Sequence, residues 1–222
     1  MSYDWNFGIV FAHSDVLLLG LVGTLKVGLV SLFFGASFGL LLALLRLSKY
    51  RIVSGLTTAF IEFFRITPPL ALLFWAYYAM PIVIGITLNS YAAAVITLSV
   101  QSGAFFAEVY RGGITSIEKS QWEGAKAIGM TQSQMMRRII MPQALRRMIP
   151  PFTERGFELF KGTTIVSTIT YGELLYSSLV LSSQLYRPLE IITLVALVFL
   201  VLLTTASMLL RRLEHKLDTA RL

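Results

Sequence analysis

Glu123-Gly124-Ala125-Lys126-Ala127-Ile128-Gly129, followed by Ile139-Ile140-Met141-Pro142, occupies the longest polar interval of an otherwise mostly apolar chain. From Ile117 to Ala127, small, polar and apolar residues alternate without proline, which predicts a short helix. Gly124, Ala125 and Ala127 leave its surface shallow. Gly129 accepts positive φ and should end it. Thr131, with Gln134 three residues on, predicts a capping box opening a second helix. That helix carries Met135, Met136, Ile139 and Ile140 beside Arg137 and Arg138, and Pro142 should end it or bend its path.

What surrounds this interval decides the fold. The 222 residues are 55% hydrophobic and 14% charged, with mean hydropathy +0.71. A soluble domain carries roughly 25% charged residues, so the chain falls in the membrane class. The residues predict five spans, at 16–45, 53–80, 91–110, 151–171 and 189–210, each long enough for a hydrocarbon core of ~30 Å. The fourth is the weakest, because it holds Glu154, Arg155, Glu158 and Lys161. The N-terminus has Asp4 and Asp15 and no Lys or Arg before Lys26. It lacks the positive region of a cleavable signal, so the first apolar segment is expected to remain as a span.

Loop charge sets direction. Arg46, Lys49 and Arg51 lie between the first two spans. Arg111, Lys119, Lys126, Arg137, Arg138, Arg146 and Arg147 lie between the third and fourth, and Arg211, Arg212, Lys216 and Arg221 follow the fifth. The alternate loops carry no positive charge at 81–90 and only Arg187 at 172–188. The N-terminus is therefore expected outside and the C-terminus in the cytoplasm. Deleting the fourth span would put Arg211 and Arg212 outside. The net charge of +7 is thus a matter of topology rather than of nucleic-acid binding. With no repeat or linker, residues 1–222 should form one membrane domain, with 111–150 as its cytoplasmic loop.

Charges at membrane depth are costly and usually face protein or water. Glu62 and Arg65 can pair at i,i+3, just before Thr67-Pro68-Pro69, where prolines should free carbonyls and bend the helix. Lys161-Gly162-Thr163-Thr164 makes a polar, permissive point in the fourth span, of the kind that builds substrate sites in transporters. The candidates for a solute path are Glu62, Arg65, Thr67, Glu158, Lys161, Thr163 and Thr164. Each also has a structural reading: Glu62 with Arg65 as a locking ion pair, and Lys161 as the counter-ion of Glu158 or Glu62. Glu108 and Arg111, also i,i+3, are expected to form a structural ion pair. Lys26 should pair or snorkel, and Phe74-Trp75-Ala76-Tyr77-Tyr78 should anchor at an interface. Without cysteine, and with only His13 and His215 near opposite ends, no metal site or thiol chemistry is expected. The order around Lys161-Gly162 is the reverse of a phosphate-binding loop, so no ATP site is expected in this chain, and no enzyme activity.

Four motifs, in order across roughly residues 15–212, resemble those of the membrane permease subunits of ATP-binding-cassette importers, in the polar amino-acid uptake group. Glu62-Phe-Phe-Arg65-Ile-Thr67-Pro68 is similar to the family's Glu-x-Phe-Arg-Gly-Thr-Pro. Gly103-Ala-Phe-Phe-Ala-Glu108-Val-Tyr-Arg111-Gly112-Gly113-Ile114 is similar to Gly-Ala-Tyr-x-Ala-Glu-x-x-Arg-Gly-Gly-Ile. Gln121-Trp-Glu123-Gly124-Ala125 through Gly129-Met130, then Met141-Pro142-Gln143-Ala144, resembles the Glu-Ala-Ala loop and its Leu-Pro-Gln-Ala ending. Lys161-Gly-Thr-Thr-Ile165 resembles Lys-Asp-Thr-Ser-Leu. Gly124 stands where the family has alanine, Ser120 where it has glycine, and Gly162 where it has aspartate. Thr153-Glu154-Arg155-Gly156-Phe157 stands where asparagines are frequent.

The resemblance implies an all-α, five-span type I importer permease in a prokaryotic inner membrane, moving polar or charged amino acids or related zwitterions inward. It implies two cytoplasmic ATPase subunits that hold the ATP and magnesium, a second permease, identical or paralogous, and an extracytoplasmic binding protein, with lipid around the assembly. The docking residues would be Glu123, Gly124, Ala125, Ala127, Gly129 and Met130. The alternative is a self-sufficient secondary transporter, which predicts inverted repeats that this chain lacks.

Overall fold

The computed structural model describes residues 3–219 and, beyond Leu210, the side chain of Arg212 alone. Arg221, and the side chains of Arg211, His215 and Lys216, lie outside the described residues. The described chain is helical: α1 (Phe7–Ala12), α2 (Ser14–Arg46), α3 (Arg51–Ile66), α4 (Pro69–Phe74), α5 (Met80–Ile84), α6 (Ser90–Thr115), α7 (Lys119–Ala127), α8 (Gln132–Met135), α9 (Met141–Gly162), α10 (Leu174–Leu185) and α11 (Pro188–Thr219). Widened turns at Trp75–Ala79 and Met136–Ile140 join α4 to α5 and α8 to α9, and a tight helical turn, Thr163–Ile169, extends α9.

Among the described residues, three helices are long and apolar enough to cross a membrane: α2, α6 and the Pro188–Leu210 part of α11, with mean hydropathies of 2.2, 1.4 and 2.6. Two bent pairs raise the number to five if each is one span: Arg51–Ile66 with Pro69–Ile84, bent by 103°, and Gln132–Ile169 with Leu174–Leu185, bent by 48°. The expected second span, 53–80, is thus broken inside its bounds, while the expected fourth, 151–171, is helical to Ile169 and meets its break at that end. The segment 172–188, read as a loop, contains the helix α10. Ser177, Ser178, Ser182 and Ser183 dilute its apolar signal, but Ser178 and Ser183 return their hydroxyls to the carbonyls of Leu174 and Val180. Glu173, fully buried, caps α10 by accepting from the N–H groups of Leu175 at 2.9 Å and Tyr176 at 2.6 Å, and Thr24 of α2 accepts from Leu174 N at 3.0 Å. Pro142 does not end its helix. The path stays helical on both sides of it, with the widened turn Met136–Ile140 just before it.

α6 is the hub, packing on α2, α3, α4, α9 and the Thr163–Ile169 turn. Its broadest contact is with α2, through a seam of small residues. Ser31, Gly35 and Gly39 of α2 meet Ser99, Ser102, Gly103 and Phe106 of α6. A Cβ at Gly39 would lie 2.7 Å from Cβ of Phe106 and 2.8 Å from the carbonyl oxygen of Gly103. Small residues are what lets backbones approach where water provides no apolar drive.

The break after α3 has an identifiable partner in α6. Pro68 cannot donate to the carbonyl of Phe64 as a helical residue would. Instead Gln101 Nε2 donates to Phe64 O at 3.3 Å and to Thr67 O at 3.0 Å. Gln101 is 7% exposed, so its amide is committed to these bonds. The freed carbonyls expected from Pro68-Pro69 therefore hold α3 against α6, and the chain leaves the break at a wide angle. Replacing Gln101 by Leu should leave these carbonyls without that donor, at about 1–3 kcal/mol. A lowered thermal midpoint of the purified protein is expected, and an unchanged midpoint would show that the break holds itself.

Candidate functional site

Beneath the α3 break, α3, α6 and α9 enclose a cavity of about 290 Å³. Arg65, Thr67 and Pro68 reach it from the break, Gln101, Ser102 and Phe105 from α6, and Arg155, Glu158 and Gly162 from α9. Arg65 binds Glu62 at 3.0 Å and Arg155 binds Glu158 at 2.5 Å, each pair at i,i+3. Both guanidiniums also lie over the ring of Phe105, their central carbons 5.7 Å and 4.9 Å from its centroid, within the range of cation–π attraction. Two ion pairs and two cation–π contacts therefore meet where three helices converge.

The solute-path candidates do not all converge. Arg65, Thr67 and Glu158 line the cavity, and Glu62 is tied to it through Arg65. Thr163 is fully buried, its hydroxyl on the carbonyl of Phe160 at 2.7 Å, and Thr164 bonds the carbonyl of Lys161 at 2.8 Å. Both hydroxyls thus serve their own helix, as threonines in helices commonly do. Lys161 is exposed and away from the lining. It is not the counter-ion of Glu158 or Glu62, since arginines hold both. The sequence reading passed over Gln101, Ser102, Phe105 and the cavity role of Arg155. A lone glutamine in an apolar span was the available signal, because an amide at membrane depth needs partners.

Farther along α6, a second cavity of about 410 Å³ is lined by Glu108, Gly112, Gly113, Ser116, Arg147 and Glu154, and shares Arg65, Phe105 and Arg155 with the first. Glu108 pairs with Arg111 at 2.9 Å as expected, and also with Arg46 at the end of α2. One carboxylate so clasps α2 to α6. Lys26 finds an aromatic face rather than a carboxylate, its ammonium 4.8 Å from the ring centroid of Tyr91.

At this end of the molecule, α7 projects as a short platform. Gly129, at φ 76°, ends it. Its N–H bonds the carbonyl of Lys126 at 3.0 Å, and that of Met130 bonds the carbonyl of Ala125 at 3.1 Å, the paired bonds of a Schellman motif. The expected capping box follows: Thr131 N donates to Gln134 Oε1 at 2.9 Å, and Gln134 N to Thr131 Oγ1 at 3.4 Å. Glu123, Gly124, Ala127 and Gly129 face outward, and a Cβ built at Gly124 meets nothing within 4 Å. Ala125 does not belong to that face. It is 2% exposed and packs beneath α7 with Ile117, Met135, Ile140 and Ala144, while Met130 leans half-buried on the same cluster. Alternation along one helix turn sends Ala125 inward while its neighbours point out. Ile128, 74% exposed beside them, adds an apolar side chain to that face, one absent from the docking residues expected from the sequence.

Comparison with known proteins agrees with this architecture. Residues 35–219 match the family model described as binding-protein-dependent transport system inner membrane component. The chain is 32% identical over 215 residues to a probable amino-acid ABC transporter permease protein, YckA, of Bacillus subtilis (strain 168), covering 97% of this chain and 95% of that protein. It is 31% identical over 218 residues to the glutamine transport system permease protein GlnP of Escherichia coli (strain K12), covering 98% and 99%. The crystal structure of an amino acid ABC transporter with histidines superposes with a TM-score of 0.92 at 28% identity, covering 96% of this chain and 100% of that one. An inward-facing MetNI methionine ABC transporter shares the fold, with a TM-score of 0.74 at 21% identity. The chain thus belongs to the inner-membrane components of binding-protein-dependent transport systems, as an ABC-transporter permease with the type I importer fold.

Proposed function

We propose that this permease moves polar or charged amino acids, or closely related zwitterions, into the cytoplasm, and that its energy comes from ATP hydrolysed on separate ATPase subunits. The observation that carries the reading is the charged cavity at the α3 break, held between Arg65, Gln101, Arg155 and Glu158, in a chain that matches amino-acid permeases over nearly its whole length. Ion pairs and an amide at membrane depth are costly and usually mark a path. A self-sufficient secondary transporter is not favoured, because the relatives are importer permeases and the chain has no repeat.

In this reading residues 1–222 form one membrane domain with five spans, two of them the bent pairs. Loop charge directs the N-terminus outward and the C-terminus to the cytoplasm. The segment 111–150 is then the cytoplasmic coupling loop, and Glu123, Gly124, Ala127, Ile128 and Gly129 present α7 to the ATPase. Gly124 supports close approach, because none of the described residues lies within 4 Å of a Cβ built there. Two such subunits, identical or paralogous, would enclose the path, each gripping one ATPase, with a binding protein delivering solute from outside. Closure of the ATPase pair would rock the spans through α7, a rigid-body coupling of two states. α11, the least buried of the three unbroken spanning helices, leaves an apolar face for lipid or the second subunit. ATP and magnesium belong to the ATPase.

The test of function is uptake of isotopically labelled amino acids by proteoliposomes holding the purified complex, with its binding protein and ATP. Accumulation that needs ATP is expected; accumulation by this chain alone without ATP would overturn the proposal. Reversing charge at Glu123 (Glu123→Arg) should release the ATPase or abolish transport-coupled hydrolysis, while the permease still folds because the side chain is exposed. Normal assembly and coupled uptake would refute the docking assignment. Lys161→Ala should lower uptake several-fold with the ATPase still bound if Lys161 touches solute, and unchanged uptake would remove it from the path.

A further inference from the structure

Arg65 and Arg155 come from different helices, α3 and α9, yet both guanidinium carbons lie within 5.7 Å of one point, the ring centre of Phe105 on α6. All three residues border both the cavity at the α3 break and the one beside Glu108. The cluster therefore lies where the two cavities adjoin along α6. We infer that Arg65 and Arg155 form a carboxylate-recognition station, in which the two guanidiniums over Phe105 receive the α-carboxylate of the solute in transit. The inference rests on the amino-acid reading above and names the part of the solute that this site recognises.

Both arginines are already paired, but neither is used up. A guanidinium carries five N–H donors. Arg65 directs Nη1 to Glu62 and Arg155 directs Nη1 to Glu158. Arg65 Nε is buried and has no hydrogen-bond partner in the structure, and an unpaired buried donor of a charged group is unfavourable. A carboxylate with two acceptor oxygens is the ligand that satisfies such a fork, and it binds arginine bidentately. Glu62 and Glu158 keep 42% and 52% of their side-chain surface uncovered by the described residues, so no packing within this chain locks either carboxylate onto its arginine. Phe105 holds the two cations near each other without competing for their N–H groups, because it attracts them through its π face. Gly162 lines the same cavity, and a Cβ built there meets nothing within 4 Å. No acidic side chain from position 162 therefore competes for the arginines.

A purely structural role would have the arginines staple α3 and α9 to the ring of α6. Stapling needs positive charge over an aromatic face, which lysine also supplies. Carboxylate recognition needs the planar fork, which lysine lacks. The experiment uses the purified complex with its ATPase and without the binding protein, whose own selectivity would mask the site. Equilibrium binding is measured for L-glutamine, L-glutamate and the α-amides of both, in which the α-carboxylate is neutralised. The wild-type complex is expected to bind each amino acid at least about tenfold more tightly than its α-amide. Arg65→Lys and Arg155→Lys should each shrink that ratio toward one while the complex stays assembled. Gly162→Asp, which has room for its side chain, should place a competing carboxylate beside the arginines and weaken binding of both amino acids about tenfold. An acid-to-amide ratio that stays at the wild-type value in the lysine variants overturns the inference. If those variants do not assemble, unchanged binding by Gly162→Asp overturns it. A wild-type complex that transports amino acids but does not distinguish them from their α-amides refutes this station alone. One that neither binds nor transports any amino acid refutes the underlying function as well.

Discussion

The donation by Gln101 to the carbonyls of Phe64 and Thr67 is the interaction on which the working part of this molecule depends. A pair of prolines breaks α3 at membrane depth, where no bulk water can take over the lost backbone bonds. A single side-chain amide from α6 takes the carbonyl of Phe64, freed by Pro68, and that of Thr67 beside it. Because the acceptors lie at the end of α3, the amide fixes where α3 stops against α6. It thereby positions Arg65, one residue before the end of α3, and Thr67 just beyond it, beside Phe105 and Ser102. The 103° turn that follows opens the space that becomes the cavity.

Around this point the helices are held by two different means. Along α2 and α6 the seam is made of absent side chains: Gly35 and Gly39 let the backbones come close enough that Ser102 and Phe106 fill the remaining space. At the α7 end, charge takes over. Glu108 accepts from arginines of two helices, Arg46 and Arg111. Its side chain is 19% exposed, so the clasp is shielded from water and stronger than a surface ion pair such as Arg147 with Glu118. A rigid hub of this kind, with a short platform attached, suits a protein that transmits motion. The cluster under α7 joins Ala125 and Met130 to Met148 of α9, the helix that also carries Arg155 and Glu158.

Much of this was legible from residues alone, where the signal is local. Gly129 after small residues, and Thr131 with Gln134, specify a helix end and a helix start through backbone bonds spanning only a few positions, and both are present. The i,i+3 pairs Glu62–Arg65 and Glu108–Arg111 follow from helical spacing and are present too. Hydropathy misjudged α10, because its serines read as loop although the hydroxyls of Ser178 and Ser183 bond within the helix. Of the two readings of Pro142, an end of the helix is absent, while a widened turn lies just before it. The partner of each charge was less legible. Lys161 seemed the natural counter-ion for Glu158, yet Arg155 lies one turn earlier and takes it.

What the sequence by itself determined is the membrane class, the sidedness bias of the basic loops, the family, and the existence of a capped platform between two spans. These rest on composition, on neighbours within one helical turn, and on motif order, none of which needs the chain to be folded. Tertiary structure alone decided which polar residues share a cavity. Gln101 is 34 residues from Thr67, and Arg155 is 50 residues from Phe105. Such pairs meet only because small residues let α2 and α6 close, and because broken spans turn their polar ends toward α6. Tertiary packing likewise decided that Ala125 belongs to the interior and Ile128 to the surface of the platform. The direction in which α7 lies on the bundle is set by Met135, Ile140 and Met148, none of which belongs to α7.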